Sequence, residues 1–359
     1  MARRPWSRTP GGRGGAGPGA ARSLVAGAVA VVVLVAAGVV GWWISGSARA
    51  DVRGPLASAL AAAPADTTLL GFTDWERVRA VDADDPDLRD LLTRSVLADL
   101  GDAVPAALGW STDDVRWEAF AQDLRAGTLV VAPAASLPWS RVEAGLRDAG
   151  FSDDGDGAWS ASPQVVLEAG LGDQFTQVRL LPRAGVLVAG TDAASADDVA
   201  RAATGEDPAL TSVRQAVDTA QVLADGATAL LQAGSLGCEA AAVPEVDRPA
   251  ADAAQATAGE LEPFAYAGRS IVDRGGPGPR AQTVTFAMTF PEVATARAQA
   301  PVRLALSTGP FVGRTGRVQD QLRDPRVDVD QATVTLDFDR AADGIVLMLG
   351  TGPLLFASC

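Results

Sequence analysis

The sequence predicts an α+β domain built on antiparallel sheet and preceded by one transmembrane helix. An uninterrupted apolar stretch stands near the N-terminus, at residues 24–44. After it, short segments rich in Val, Leu, Phe and Thr occur in pairs, and amphipathic segments follow those pairs. Strands joined by short turns are antiparallel, so the helices that follow them are expected on one face of the sheet. The expected result is one domain, with a division into two similar lobes as the alternative.

The apolar stretch is long enough to cross a bilayer as a single helix. It begins at Leu24 and ends at Ile44, 21 residues without a charge, and Trp42 and Trp43 stand at its far boundary. Five arginines precede it, so the positive-inside rule keeps the N-terminus in the cytoplasm and exports the rest. The lipid bilayer is therefore a predicted partner, and the cell membrane is the predicted location.

The predicted organisation has four parts. Residues 1–22 form a disordered cytoplasmic tail, 23–45 the membrane helix, 46–63 an Ala-rich stalk and 64–359 the extracytoplasmic α+β domain. A cleaved signal peptide is the alternative, because Ala48, Arg49 and Ala50 have the small-x-small form of a cleavage site. The apolar stretch exceeds the usual length of a signal-peptide core, which favours a retained anchor.

Composition excludes several kinds of chemistry. The chain contains no lysine, no histidine and no asparagine, and all 30 basic residues are arginine, a bias typical of a GC-rich genome. Without histidine and lysine there is no imidazole base, no imidazole metal ligand and no Schiff-base amine. A Cys₄ zinc site and a phosphate-binding Gly-x-x-x-x-Gly-Lys loop are also excluded. No cofactor, metal or catalytic residue is predicted, and the chain is expected not to be an enzyme.

The distribution of charge excludes one class of partner. All 44 acidic residues lie at or after Asp51, whereas six of the 30 arginines precede it, so the exported part has a net charge of −20. Nucleic-acid binding needs a basic surface that neutralises phosphates, and no basic cluster follows the apolar stretch. Nucleic acid is therefore not a predicted partner.

The two cysteines predict a disulfide. Cys238 and Cys359 both lie in the exported region, where thiols tend to be oxidised. A terminal residue normally frays, so a cysteine at the last position makes most sense if it is tied down. Two buried free thiols are the alternative.

Periodicity assigns the elements in order. The predicted strands are 67–72, 115–122, 128–132, 177–181, 185–189, 227–233, 264–272, 282–290 and 332–338. The predicted helices are 87–100, 139–149, one from Ser195 to the residue before Gly205, a short one within 239–260, then 291–306 and 341–349.

Local signals add turns and a repeat to this list. Gly150 and Phe151 predict a Schellman stop, and 274–279 predict a hairpin tip or loop. A unit of strand pair and helix recurs after about 58 residues, judged from Gly127 and Gly185. Residues 283–289 alternate Thr or Ala with larger apolar side chains, which predicts a strand with one covered face.

Three groups of side chains are candidate sites. Asp153, Asp154 and Asp156 could bind calcium, but their spacing with glycine is more typical of a solvated turn. Five tryptophans could stack on sugars, although core packing is favoured; they are Trp75, Trp110, Trp117, Trp139 and Trp159. The carboxylate pairs could serve a glycosidase, but adjacent residues do not face each other across a substrate, so caps and surface groups are favoured; the pairs are Asp113 with Asp114 and Asp197 with Asp198.

Short motifs are spread through the exported part. They are Pro64 and Asp66 ahead of 70–75, then 108–110, 114–117, 150–151, 157–159, and Cys238 with Cys359. In these motifs the chain resembles an uncharacterised family of single-pass exported proteins of high-GC actinobacteria. The resemblance spans most of the exported part and implies no activity.

The expected function is that of a membrane-anchored extracytoplasmic domain that binds an envelope protein or a wall component without catalysis. A carboxylate-dependent enzyme acting on glycans is one alternative, and a small-molecule or cation-binding module is another. An enzyme should show a deep cleft with two separated carboxylates, whereas an interaction module should show an apolar patch.

Overall fold

One antiparallel sheet of twelve strands organises the part of the chain that the structure, a computed structural model, describes: residues 52–80, 95–123, 126–240, 243–274, 282–312, 315–341 and 354–359. The strands are β1 Leu69–Asp74, β2 Val115–Gln122, β3 Gly127–Pro133, β4 Ser152–Gly155, β5 Ala158–Ser160, β6 Gln177–Leu181, β7 Val186–Gly190, β8 Thr228–Ala233, β9 Tyr266–Asp273, β10 Gln282–Thr289, β11 Leu322–Asp330 and β12 Thr333–Arg340. The prediction of an antiparallel α+β fold is confirmed.

Helices fill the connections between these strands. They are α1 Pro55–Ala62, α2 Trp75–Ala80, α3 Val96–Leu100, α4 Ala103–Leu108, α5 Trp139–Asp148, α6 Pro163–Glu168, α7 Ala193–Thr204, α8 Arg214–Leu223, α9 Gly234–Ala240, α10 Arg248–Ala258 and α11 Val293–Leu306. The predicted helix 341–349 lies outside the described residues apart from Ala341, as does most of the predicted hairpin tip 274–279. Of the predicted helix 87–100, the last five residues form α3.

The strand order shows that the sheet repeats its topology once. The order is β11-β12-β10-β9-β8-β1-β2-β3-β7-β6-β5-β4. From the centre outwards, β8-β9-β10-β12-β11 matches β1-β2-β3-β7-β6, and the two halves meet where β1 pairs with β8, with Phe72 opposite Ala229. The possible two lobes are therefore halves of one continuous sheet. The predicted 58-residue repeat is wrong as a structural unit, because α5 and α7, which end its two rounds, pack on opposite faces.

Helices cover both faces of the sheet, which corrects the prediction of a single covered face. Leu129 and Val131 of β3 belong to one apolar core with α2–α6, α10 and α11, whereas Val130 and Ala132 belong to a second core with α1, α7 and α8. The continuous apolar run of β3 is the pattern of a strand buried on both sides.

Threonine explains why the alternation in β10 was misleading. Thr283, Thr285 and Thr289 are as buried as the apolar residues between them. The Thr289 hydroxyl lies 2.7 Å from that of Thr219 in α8 and 2.9 Å from that of Thr333 in β12. These contacts satisfy the Thr289 hydroxyl under α8, whereas the Thr283 hydroxyl is buried without a hydrogen-bond partner among the described residues.

Two helix ends test the local signals. The Schellman stop of α5 is confirmed, since Gly150 has φ +89° and the Phe151 amide donates to the Leu146 carbonyl at 3.0 Å. The predicted start of α7 is wrong by two residues. The cap is Asp192, whose carboxylate accepts from the Ser195 amide at 2.9 Å, because aspartate is as good a cap as serine.

Nine of the described elements were not predicted: α1, α2, α4, α6, α8, α9, β4, β5 and β11. Two of them show why. Helix α1 lies within the predicted stalk, yet Leu56, Ala59 and Leu60 are buried against the sheet. Their helical spacing is amphipathic, but the alanine-rich composition suggested a linker. Strand β11 was missed because it is an edge strand whose outward positions are mostly charged, and a bulge lies between Arg323 and Arg326. Such features protect a sheet edge from pairing with other chains.

The predicted membrane anchor, with Leu24, Trp42, Trp43 and Ile44, lies outside the described residues and stays a prediction. Within the ranges that the structure describes, every helix is too short or too polar to span a bilayer.

Substituting Gly145 in α5 with alanine is expected to lower the free energy of unfolding by about 2 kcal/mol. A Cβ at this position would lie 2.0 Å from the Leu108 carbonyl oxygen at the end of α4, so the two helices would have to separate. Chemical unfolding of the variant measures the effect. Asp148→Ala on the exposed side of α5 is the control, and equal stability of both variants would contradict the close contact.

Candidate functional site

The C-terminal segment, residues 354–359, is fixed to the domain by a disulfide. Cys359 is bonded to Cys238 in α9, with their Cα atoms 5.2 Å apart and a sequence separation of 121. The predicted disulfide is therefore present. Disulfides persist in oxidising compartments, so the bond indicates an extracytoplasmic location.

A buried arginine holds the same segment from the other side. Arg303 of α11 is fully buried, and its Nη1 donates to the carbonyl oxygens of Phe356 and Ser358, each at 2.9 Å. Its Nη2 donates to the Glu262 carbonyl at 2.7 Å. Burial lowers the pKa of the guanidinium to about 9, so it remains charged at neutral pH. Arg303 is thus a charged clamp that ties three backbone carbonyls together.

Aromatic rings surround this clamp. The Arg303 guanidinium lies 5.2 Å from the ring centre of Phe290 and 5.6 Å from that of Phe264, within the range of cation–π contacts. Phe356 packs edge-on against Phe286 of β10 at 5.1 Å between ring centres. The C-terminal segment is therefore docked by packing as well as by the disulfide.

An apolar cleft opens beside the docked segment. It lies between α10, the end of α11, the loop that follows α11 and the C-terminal segment, and its volume is about 530 Å³. The residues that line it are Ala250, Ala254, Thr257, Ala258, Ala305, Leu306, Thr308, Pro310, Phe311, Val312, Val318, Leu354, Leu355 and Phe356. The volume is in the range of ligand sites.

The chemistry of this cleft is simple. Among the described residues that line it none is charged, and the hydroxyls of Thr257 and Thr308 are the polar side-chain groups. The helix α10 contributes only alanine and threonine, so its side chains leave the space open. The cleft suits an uncharged apolar group and offers nothing to recognise a charge.

A second, smaller pocket is acidic. It has a volume of about 170 Å³ and lies near the N-terminus of α7, and its lining includes Asp66, Asp123, Asp192 and Asp198. This is the place where the fold brings several carboxylates together. Asp197, in contrast, pairs with Arg179 at 2.7 Å.

Most carboxylates of the acidic pocket already have structural roles. Hydrogen bonds from the Ser195 amide and hydroxyl lower the pKa of Asp192. Asp123 accepts from the Ala126 amide at 2.7 Å, and Asp198 forms an ion pair with Arg201. A glycosidase acid needs a raised pKa, which is the opposite of the shift at Asp192.

Another carboxyl group, that of Glu118, is buried among neutral hydrogen-bond donors. Glu118 of β2 accepts from the Trp75 indole at 3.0 Å, the Ser95 hydroxyl at 2.7 Å and the Val96 amide at 2.7 Å. Burial raises its pKa to about 7, although these hydrogen bonds favour the charged form. Glu118 joins α2 and the start of α3 to the sheet. No signal for it was recognised in the sequence.

The predicted aspartate sites prove to be turns and caps. Asp153 lies in β4 and accepts from the Gly155 amide at 2.9 Å, and Asp156 follows with φ +52° in the turn to β5. Asp114 closes a capping box with Ser111. Across the described ranges, no three acidic or cysteine side chains stand close enough to hold a metal ion.

The tryptophans do not form an exposed face. Trp75, Trp110, Trp117 and Trp159 are buried in the two cores, and Trp139 is half-buried. Their packing role, which the sequence favoured, is confirmed, and sugar stacking loses its support.

The described part of the chain is thus an α+β protein with a twelve-stranded sheet and an apolar cleft. The chain matches no known protein family, and no curated protein is similar to it. Among solved structures it is similar to the Treponema protein TP0453. Crystal form I is 10% identical with a TM-score of 0.37, covering 81% of this chain and 94% of that chain; form III is 9% identical with a TM-score of 0.39, covering 79% and 92%. The similarity is distant and assigns no family.

Proposed function

We propose that this chain is a membrane-tethered extracytoplasmic binding protein without catalytic activity, and that its apolar cleft takes up an apolar group of a cell-envelope component. The observation that carries the proposal is the cleft of about 530 Å³ with a lining of aliphatic, aromatic and hydroxyl side chains. Burying an apolar group there gains about 0.8 kcal/mol for each CH₂ removed from water.

The absence of catalysis is supported by the separation of the two pockets. The cleft that has the size for a ligand is lined by residues without titratable groups, whereas the pocket with four aspartates has about a third of its volume. Acid–base chemistry needs both a substrate-sized space and correctly poised groups in the same place.

The membrane tether completes the proposal. In this proposal the apolar stretch at residues 24–44, which the sequence predicts to be a membrane helix, holds the domain at the outer surface of the membrane, where apolar groups of lipids, lipid-linked wall precursors and membrane proteins are concentrated. The strongly acidic domain does not attract anionic polymers, so recognition by apolar contact is the mode that its chemistry favours.

Filling the cleft is expected to weaken the binding of an apolar probe strongly. In the Ala254→Phe variant the added ring occupies the cleft from the side of α10, so capture of an apolar probe should fall at least about tenfold, a loss of ~1.4 kcal/mol. The probe is a neutral alkyl diazirine that carries an alkyne. It is photolysed with the full chain in lipid nanodiscs, and mass spectrometry of the peptides counts the label.

Ala253→Phe is the matched control. Ala253 is the preceding residue of α10, is exposed and does not line the cleft, so this variant should keep the labelling of the parent protein. Equal labelling of Ala254→Phe and Ala253→Phe would show that the probe binds elsewhere. Turnover of an envelope glycan by the parent protein would refute the non-catalytic part of the proposal.

A further inference from the structure

We infer that the Cys238–Cys359 disulfide controls the binding competence of the apolar cleft, so that the cleft takes up its ligand only after the chain has reached an oxidising compartment. This inference rests on the proposed function of the cleft and adds its regulation. Within residues 354–359, Leu354, Leu355 and Phe356 form one wall of the cleft.

This wall of the cleft is formed by residues 354–356 and not by strands of the sheet. Leu354, Leu355 and Phe356 line the cleft, and the disulfide at Cys359 lies only three residues beyond them. Behind the wall, Arg303 donates to the carbonyls of Phe356 and Ser358. The same short segment therefore contains the ligand-lining side chains, the clamp contacts and the covalent tie.

The free energy of docking residues 354–359 is a balance between apolar burial and lost backbone entropy. Three apolar side chains are buried, and this favours docking. Ordering six residues costs backbone entropy of similar size, so packing and the Arg303 hydrogen bonds leave little net stability. The disulfide tips this balance, because it confines residues 354–359 beside α9 and so raises their effective concentration at the docking site.

The bond is placed where it can be opened without unfolding the domain. Cys359 is exposed and Cys238 is half-buried. A dithiol reductant supplies the reaction: one thiolate attacks a cysteine sulfur and forms a mixed disulfide, and its second thiol then releases that sulfur. The two electrons and two protons end on Cys238 and Cys359, and the dithiol becomes a cyclic disulfide.

The C-terminal segment packs on one half of the sheet. Phe356 contacts Phe286 of β10 and Phe338 of β12, whereas β2, β3, β7 and β6 lie in the other half, beyond β8 and β1. Reduction should therefore free the wall and leave the remaining sheet in place.

The test compares oxidised and reduced full chain in nanodiscs, with the same alkyl diazirine probe and with the reduced thiols blocked by iodoacetamide. Labelling of α10 and the end of α11 should fall about tenfold on reduction. Hydrogen exchange, followed in parallel, should rise at residues 354–359 and stay unchanged in β2 and β3. A second variant, Phe356→Ala, keeps the bond and removes the docking ring, and it should lose labelling in the oxidised protein.

Three outcomes of this experiment would refute the control of the cleft by the disulfide. If the oxidised and reduced proteins are labelled equally, the control by the disulfide is refuted while the proposed binding function stands. If the oxidised protein is not labelled at all, the binding function fails and this inference with it. If reduction raises hydrogen exchange in every strand, the bond supports the whole fold and does not act through the wall, which also refutes the inference.

Discussion

Replacing Arg303 with methionine is expected to lower the free energy of unfolding by about 3 kcal/mol. Methionine fills most of the space, but it cannot donate to the carbonyls of Phe356 and Ser358, which would be left buried without that donor, and the more exposed Glu262 carbonyl would lose the same donor. Relief from burying a charge offsets part of this loss, and the two uncompensated buried carbonyls outweigh it. Chemical unfolding of the oxidised protein measures the difference.

The control is Arg297→Met, since Arg297 lies on the exposed side of the same helix and its loss should change stability by less than about 0.5 kcal/mol. Arg303→Lys separates charge from geometry, because an ammonium group cannot reproduce the planar set of donors or the contacts with two rings. Full stability of Arg303→Lys would show that charge alone suffices and that the clamp geometry is unimportant.

Glu118 is expected to make the protein less stable as the pH rises from 4.5 to about 8. Burial raises the pKa of this carboxyl from 4.5 in the unfolded chain to about 7 in the folded protein. The folded state therefore binds the proton more tightly, and this contribution is fully present below pH 4.5 and is lost as the pH passes through 7. Linkage converts the shift into about 3 kcal/mol.

The Glu118→Gln variant isolates this contribution, because glutamine does not titrate. The stability of the variant relative to the parent protein should increase by about 3 kcal/mol between pH 4.5 and pH 8. Comparing the two proteins cancels the titration of Asp74 and Asp218, whose pKa values burial also raises. Glu206→Gln, at an exposed position, should follow the parent at every pH. Parallel curves for Glu118→Gln and the parent would contradict the buried-carboxyl account.

Local patterns were sufficient for most strands but for fewer than half of the described helices. The bounds of β2 and β6 were predicted to the residue, and the glycine stop after α5 was correct, because periodicity and turn chemistry act within a few residues. Coverage of both sheet faces was not predicted, since buried threonines of β10 resemble solvent-facing ones until their hydroxyl partners on α8 and β12 are known. Only the tertiary fold brings these partners to β10.

The candidate site was less accessible to sequence reasoning. The disulfide followed from compartment and cysteine count, but the cleft is assembled from four distant segments whose lining residues are ordinary alanines and leucines. Arg303 did leave a signal that was not used: it lies on the buried stripe of α11, in helical register with Ala296 and Ala300. In a chain whose basic residues are all arginine, a single buried one does not stand out.

The most direct test of the central claim is native mass spectrometry of the full chain released from the membranes of its natural host. The account predicts that the parent protein and Ala253→Phe carry an apolar adduct, which dissociates intact and can be identified by its mass, and that Ala254→Phe carries none. If all three proteins carry the same adduct, or if none carries any, the apolar cleft is not the binding site of this protein.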